Sequence, residues 1–289
     1  MSVAINDRRR SLPAVGIAYR AAVDGWIRAH LDNFDVLEIT VDDCIRGDKE
    51  RRSAIFDLIG RIPLTAHGVG LSIGTDVPLD IAYLDQIAEV VERLGAPAFS
   101  EHLAFTGVPG REIANLLPLP RTTAVAETII EKVRVVQSHL NVPFLLENIA
   151  YFFEWPDSEM SEAEFLNMIC SETGAQLLLD IENLHLNALN HGIDPNEFLA
   201  IFPSGVVQEV HLAGGATLYP SNSRPFVADT HSHPVPDAAL DLLQEALRHH
   251  QPAAIIIERD ERFDAFFEIL DDMARIRSRL ADSALRASP

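Results

Sequence analysis

Eight short apolar runs recur along the chain, and longer amphipathic segments separate them. The runs are AVGIAY (14–19), DVLEIT (35–40), IPLTAH (62–67), APAFSEH (96–102), VPFLLEN (142–148), AQLLLDI (175–181), VVQEVHL (206–212) and AAIIIE (253–258). Each is apolar enough to be buried on both faces, as parallel strands are. The intervening segments include LDQIAEVVERLG (84–95), TAVAETIIEKVRVVQSHL (123–140), SEAEFLNMICSETG (161–174) and DAALDLLQEALRHH (237–250), which read as helices. Ser161 followed by Glu164 is a capping-box start, and Gly95 and Gly174 stand where helices close in the left-handed conformation. Eight strand–helix units in series predict an α/β fold of the (β/α)8 TIM-barrel type. An open doubly wound sheet is the alternative. It would place a glycine-rich phosphate loop after the first strand, and AVGIAYRAAVDGW holds no GxGxxG. No linker or low-complexity tract divides the 289 residues, so they read as one domain over 1–289 with a core of about 14–281. The C-terminal SALRASP is expected to fray.

Composition narrows the function. Apolar residues make up 47% of the chain, enough for a sizeable core, yet no apolar run reaches the ~18 residues of a membrane span. The basic cluster in MSVAINDRRR is followed by no apolar signal region, so no secretory peptide is expected. Cys44 and Cys170 are too few for a disulfide framework, and a reducing cytoplasm is the simplest setting. A formal net charge of −20 repels phosphate backbones and argues against nucleic acid as a partner. A neutral or basic partner suits it better.

The chemistry sits where the strands end. Strand three ends in His67, strand four in His102, strand five in Glu147, strand six in Asp180, strand seven in His211 and strand eight in Glu258. The loop after strand seven adds Asp229, His231 and His233. In a barrel these ends converge on one mouth, so residues far apart in sequence share one pocket. Each alone is more simply a hydrogen-bonded structural residue. Six in succession, buried without partners, would cost several kcal/mol each. Metal ions offset that cost, and imidazole with carboxylate suits Zn, Mn or Fe. His30, His139, His249 and His250 fall in helices or at their ends and read as solvated; His191, in a His-Gly turn, reads as structural.

The segments SEHLAF (100–105), LLPLP (116–120), LLENIAYF (145–152), SEMSEAEFL (158–166), LLLDIENLHLNALNHGID (177–194), VHLAGG (210–215) and DTHSHPVP (229–236) together resemble the multinuclear non-haem iron-dependent oxidases. That family includes the methanobactin-biosynthesis oxidase and the enzyme of 3-thiaglutamate biosynthesis. The resemblance runs from about residue 14 to about 260. More broadly the chain resembles the xylose-isomerase-like TIM barrels, including the trinuclear endonucleases for abasic DNA. The resemblance implies that His67, His102 and Glu147 hold one metal. It implies that Glu147 bridges to a second held by Asp180, His211 and Glu258, and that Asp229 and His231 hold a third with Asn183. The endonuclease-like barrels use a histidine at the Asn183 place, and His185 is the other available donor. Glu147, Asp180, His211 and Glu258 are the expected catalytic set. The cofactors implied are two or three iron ions, with dioxygen as co-substrate and no organic cofactor. The partners implied are a ribosomal precursor peptide, oxidised usually at cysteine, and a small protein that binds the peptide leader.

Two other functions fit the same residues. One is a metal-dependent sugar isomerase or phosphodiesterase on this barrel, the latter disfavoured by the charge of −20. The other is a non-catalytic metal-binding component of a peptide-maturation complex, which an open barrel mouth suits less well than a closed site would.

Overall fold

A computed structural model describes residues 12–108, 111–219, 221 and 225–286. In chain order the elements are β1 (Ala14–Ala18), α1 (Asp24–Ala29), β2 (Val36–Thr40), α2 (Val41–Arg46), α3 (Lys49–Phe56), β3 (Leu64–Gly68), α4 (Ile81–Leu94), β4 (Phe99–His102), β5 (Phe105–Val108), β6 (Arg111–Leu117) and α5 (Thr123–His139). There follow β7 (Phe144–Glu147), α6 (Glu162–Thr173), β8 (Gln176–Asp180), α7 (Ile181–His191), α8 (Pro195–Ala200), β9 (Val207–Leu212), β10 (Ala216–Leu218), β11 (Phe226–Ala228), α9 (Asp237–His249), β12 (Ala254–Ile257) and α10 (Glu268–Arg286).

Eight strands close into a parallel barrel in the order β1-β12-β9-β8-β7-β4-β3-β2, one for each predicted apolar run. The reason is visible in the burial: nearly every residue of these strands is buried, because helices cover one face and the barrel interior the other. Leu37, Ile39, Leu177, Leu179, Ile255 and Ile257 belong to the large core shared with the helices, while Ala18, Val36, Ala254 and Ile256 form a small layer of their own. The capping box at Ser161 forms as expected, and Gly95 and Gly174 close their helices at φ 65° and 73°. No helix among the described residues is long and apolar enough to cross a membrane.

Three features depart from the sequence reading. Two antiparallel hairpins, β5–β6 after β4 and β10–β11 after β9, rise from loops at the strand C-termini. His250 is buried rather than solvated, because it falls one turn beyond Ala246 on the core-facing stripe of Ala239, Leu243 and Ala246. Residues 283–286 continue α10 rather than fray, and 287–289 lie outside the described residues, as does the N-terminal basic cluster.

Candidate metal centre

Register builds the site. In the ladder His102 pairs with Glu147, and Asp180 pairs with His211, so four of the expected residues are cross-strand neighbours at one end of the barrel. His67 stands beside Ser100 on β4, and Glu258 continues the ladder beyond β12 by donating its N–H to Leu212 O at 2.9 Å. The imidazole of His67 lies 4.7 Å from that of His102 and 5.3 Å from that of His211, centroid to centroid.

Glu147 occupies the middle, and its two oxygens face different neighbours. Oε2 lies 3.2 Å from His102 Nε2 and 3.6 Å from His67 Nε2, whereas Oε1 lies 3.3 Å from His211 Nδ1. His211 Nδ1 is also 3.1 Å from Glu258 Oε2. Two ligand atoms each about 2.1 Å from one ion, at a tetrahedral angle, are about 3.4 Å apart. The observed separations match that spacing. Two overlapping sets of side chains could each hold an ion: His67, His102 and Glu147, and Glu147, Asp180, His211 and Glu258, with ligand atoms within 4.8 Å of one another in each.

The third expected group lies alongside. His231 Nε2 approaches Asp229 Oδ1 to 2.7 Å and Glu258 Oε2 to 3.8 Å. His231 adopts φ 47°, a conformation costly for a residue with a side chain and found preferentially at functional sites. Asn183 is buried in the first turn of α7, and its Nδ2 donates to Asn148 O at 3.2 Å, which leaves Oδ1 free of a hydrogen-bond partner among the described residues. His185 is only half-buried.

Hydrogen bonds set which ring nitrogen is available. Ser100 Oγ donates to Ala66 O at 3.3 Å, so it accepts from His67 Nδ1 at 2.9 Å and leaves the His67 Nε2 lone pair facing Glu147. His231 Nδ1 donates to Asp260 Oδ2 at 2.8 Å, and Asp260 is in turn gripped by Arg20. Asn148 brackets Asp180, accepting from its N–H at 2.9 Å and donating to its carbonyl at 2.8 Å. Asp180 caps α7 by accepting from Asn183 N–H at 2.8 Å. Sequence reading passed over Ser100, Asn148 and Asp260. It also passed over Glu38 on β2, whose Oε2 lies 2.8 Å from His211 Nε2.

Electrostatics and unmet hydrogen bonding point the same way. His102 Nδ1, Glu147 Oε2, Asn183 Oδ1, His211 Nδ1, Asp229 Oδ1 and His231 Nε2 are buried without a hydrogen-bond partner among the described residues. Native structures rarely leave such atoms unmatched. Burial and the carboxylates of Glu147 and Asp229 push the Asp180 carboxyl well above its ordinary range. Burial opposes the charge on His102, but Glu147 and Glu101 outweigh it and lift the imidazole to about 9. Against burial, His102, His211 and His67 bring Glu147 down to about 2. The donor set therefore fits divalent or trivalent cations: it is rich in N and O ligands, and without ions it must hold protons to balance its own charge.

Comparison with known proteins places the chain. Residues 14–281 match the family described as RiPP precursor modification enzyme MbnB/TglH/ChrH. A UPF0276 protein of Caulobacter vibrioides is 33% identical over 258 residues, covering 88% of this chain and 90% of that one. UPF0276 protein BPP1075 of Bordetella parapertussis is 35% identical over 280 residues, covering 94% and 96%. A UPF0276 protein of Streptomyces avermitilis is 37% identical over 234 residues, which is 78% of this chain but 47% of that longer protein. Among solved structures, a xylose isomerase domain containing protein of Salmonella typhimurium aligns with TM-score 0.61 at 14% identity, covering 96% of this chain and 100% of that one. A 3-keto-D-glucoside 4-epimerase of E. coli aligns with TM-score 0.59 at 17% identity, covering 92% and 99%. At these identities the structural likeness establishes the xylose-isomerase-like TIM barrel and no more. The sequence match extends over nearly the whole barrel, and by it the chain belongs to the MbnB/TglH/ChrH family of RiPP precursor modification enzymes.

Proposed function

We propose that this protein is a multinuclear non-haem iron-dependent oxidase that uses dioxygen to modify a residue, cysteine in the first instance, of a ribosomally made precursor peptide. The observation that carries the reading is Glu147, whose two oxygens address the His67–His102 pair on one side and His211 on the other. A carboxylate so placed could serve two ions at once, which a multinuclear centre requires and a mononuclear one does not. In this reading His67, His102 and Glu147 hold the first ion, Glu147, Asp180, His211 and Glu258 the second, and Asn183, Asp229 and His231 the third. Bound there, iron would supply dioxygen activation and would favour the thiolate form of a substrate cysteine. The chain's own part is to fix the ligands on strand ends, balance the ions' charge with buried carboxylates, and leave the mouth open to a peptide tail. A small leader-binding protein is the expected partner for recognition.

Sugar epimerase activity is the second reading, favoured only by the barrel shared with the 3-keto-D-glucoside 4-epimerase at 17% identity. The two separate cleanly in one experiment. Protein loaded with ferrous iron without oxygen, then mixed with the precursor peptide encoded nearby and any partner, should consume dioxygen and shift the peptide's mass. A shift that survives replacement of every peptide cysteine by serine would move the target to another residue. No oxygen uptake and no mass change with all components present, together with epimerisation of a keto sugar, would overturn the proposal.

A further inference from the structure

Glu38 is a carboxylate in the middle of an apolar strand, Val36–Thr40, and it is almost completely buried. Burying a lone carboxylate is expensive, so the position calls for a cause. Strand parity shows where it points. Glu38 shares its parity with Val36, which lies in the small layer with Ala18, Ala254 and Ile256 rather than in the core beneath the helices. In the ladder Glu38 pairs with Ala18, and Ile256 pairs with His211. On β1 the partner of Ile256 is Gly16, two residues before Ala18, so Glu38 and His211 stand on neighbouring inward-facing rungs of the barrel wall, with β1 and β12 between their strands. Across the barrel interior the Glu38 carboxylate meets His211, with Oε2 2.8 Å from Nε2.

That contact decides the state of the ring. His211 has one nitrogen on Glu38 and the other, Nδ1, between Glu147 and Glu258 at 3.3 and 3.1 Å with no hydrogen-bond partner among the described residues. A carboxylate can only accept, so Nε2 carries the proton and, once an ion is bound, Nδ1 presents its lone pair. We propose that Glu38 is a positioning residue for the metal centre: it fixes the tautomer and angle of His211 so that Nδ1 addresses the ion shared with Glu147, Asp180 and Glu258. The inference rests on the metal-centre reading above and adds to it a residue outside the ligand set. Glu38, Glu209 and His211 could by their spacing hold an ion of their own. That arrangement would require the same imidazole to be metallated on both nitrogens, whereas the proton on Nε2 needs only the carboxylate already there.

The test uses the full-length protein, stripped of metal and titrated anaerobically with cobalt(II), whose visible bands report coordination geometry, against a competing chelator. The wild type is expected to take at least two equivalents. Glu38→Gln keeps the volume and an accepting oxygen but loses the charge, and should weaken one equivalent about tenfold; Glu38→Leu removes the acceptor and should weaken it up to about 100-fold. In both, the bands of that equivalent should shift while those of the ion at His67, His102 and Glu147 stay. Should Glu38→Leu fail to fold, Glu38→Gln decides alone. Wild-type affinity and bands in Glu38→Gln would overturn the inference while leaving the metal centre standing. An additional equivalent lost on Glu209→Gln would overturn it in favour of an interior ion. No cobalt bound by the wild type would overturn the metal centre, and the positioning role with it.

Discussion

Metal loading should be a proton-releasing reaction with a steep pH dependence, and His102 sets its scale. Without ions, the imidazole is held as a cation by Glu147 and Glu101 despite its burial, with a pKa of about 9. An ion can use His102 only after that proton leaves. At pH 7 the proton is bound about two pH units more firmly than at its midpoint, so it lowers apparent affinity about 100-fold, or about 2.7 kcal/mol. The sign follows directly: protons compete with the metal, so affinity falls as pH drops below about 9 and levels off above it. Burial with the nearby carboxylates of Glu147 and Asp229 pushes Asp180 up, and carboxylates outweigh burial to push His211 and His231 up, so the remaining ions should release protons as well. Titration calorimetry with zinc, in two buffers of different ionisation enthalpy, counts the protons directly. The expected result is at least one proton released per first ion at pH 7.5 and a slope of one log unit or more per pH unit between 7 and 9. An affinity flat across that interval, with no protons released, would refute the charge balance argued for the site.

Other perturbations separate the parts of the centre. Glu147→Gln should cost two ions at once and abolish activity, whereas Asn183→Ala should weaken only the third; elemental analysis after iron loading distinguishes them. His191→Ala removes a ring stacked on Tyr151 at 4.6 Å and a contact of its Nε2 with Tyr151 O at 2.8 Å, and should lower stability by about 1–2 kcal/mol in denaturant unfolding with metal content unchanged. Gly214→Ala would put a methyl 2.2 Å from His233 O and 2.4 Å from Pro234 O. The loop bearing Asp229 and His231 must then shift, so the third ion should be lost and the other two retained, as metal stoichiometry would show.

What could be read from the sequence was the part governed by the barrel itself. His67, His102, Glu147, Asp180, His211 and Glu258 each sit at a strand end, and closing the barrel brings strand ends together whatever the helices do. The residues that face those side chains from behind were harder to see. Ser100 and Asn148 matter through a pair of hydrogen bonds each, and Asp260 through its place between His231 and Arg20, none of which a strand pattern encodes. Glu38 did leave a trace, a charge inside DVLEIT, but parity tells only that it faces inward; its partner lies three strands away around the barrel. His250 was misread although its helix, 237–250, was drawn long enough: the polar pair His249-His250 reads as solvated, whereas the core-facing stripe of Ala239, Leu243 and Ala246 continues to His250.

The loops around the mouth differ greatly in reach. Beyond β4 and β9 the chain builds hairpins, while β2 passes at Thr40 directly into α2 at Val41 with nothing between. At β8 the chain likewise passes from Asp180 directly into α7 at Ile181, so the rim resembles a cup with two lips cut down, and the one at β2 carries Asp42 and Asp43 in the first turn of α2. Arg46 lies 3.7 Å from Asp42 and Arg51 2.7 Å from Asp43, so a flexible tail entering over β2 would cross a low sill of paired charges before it met the buried ligands, and that sector would discriminate little by charge.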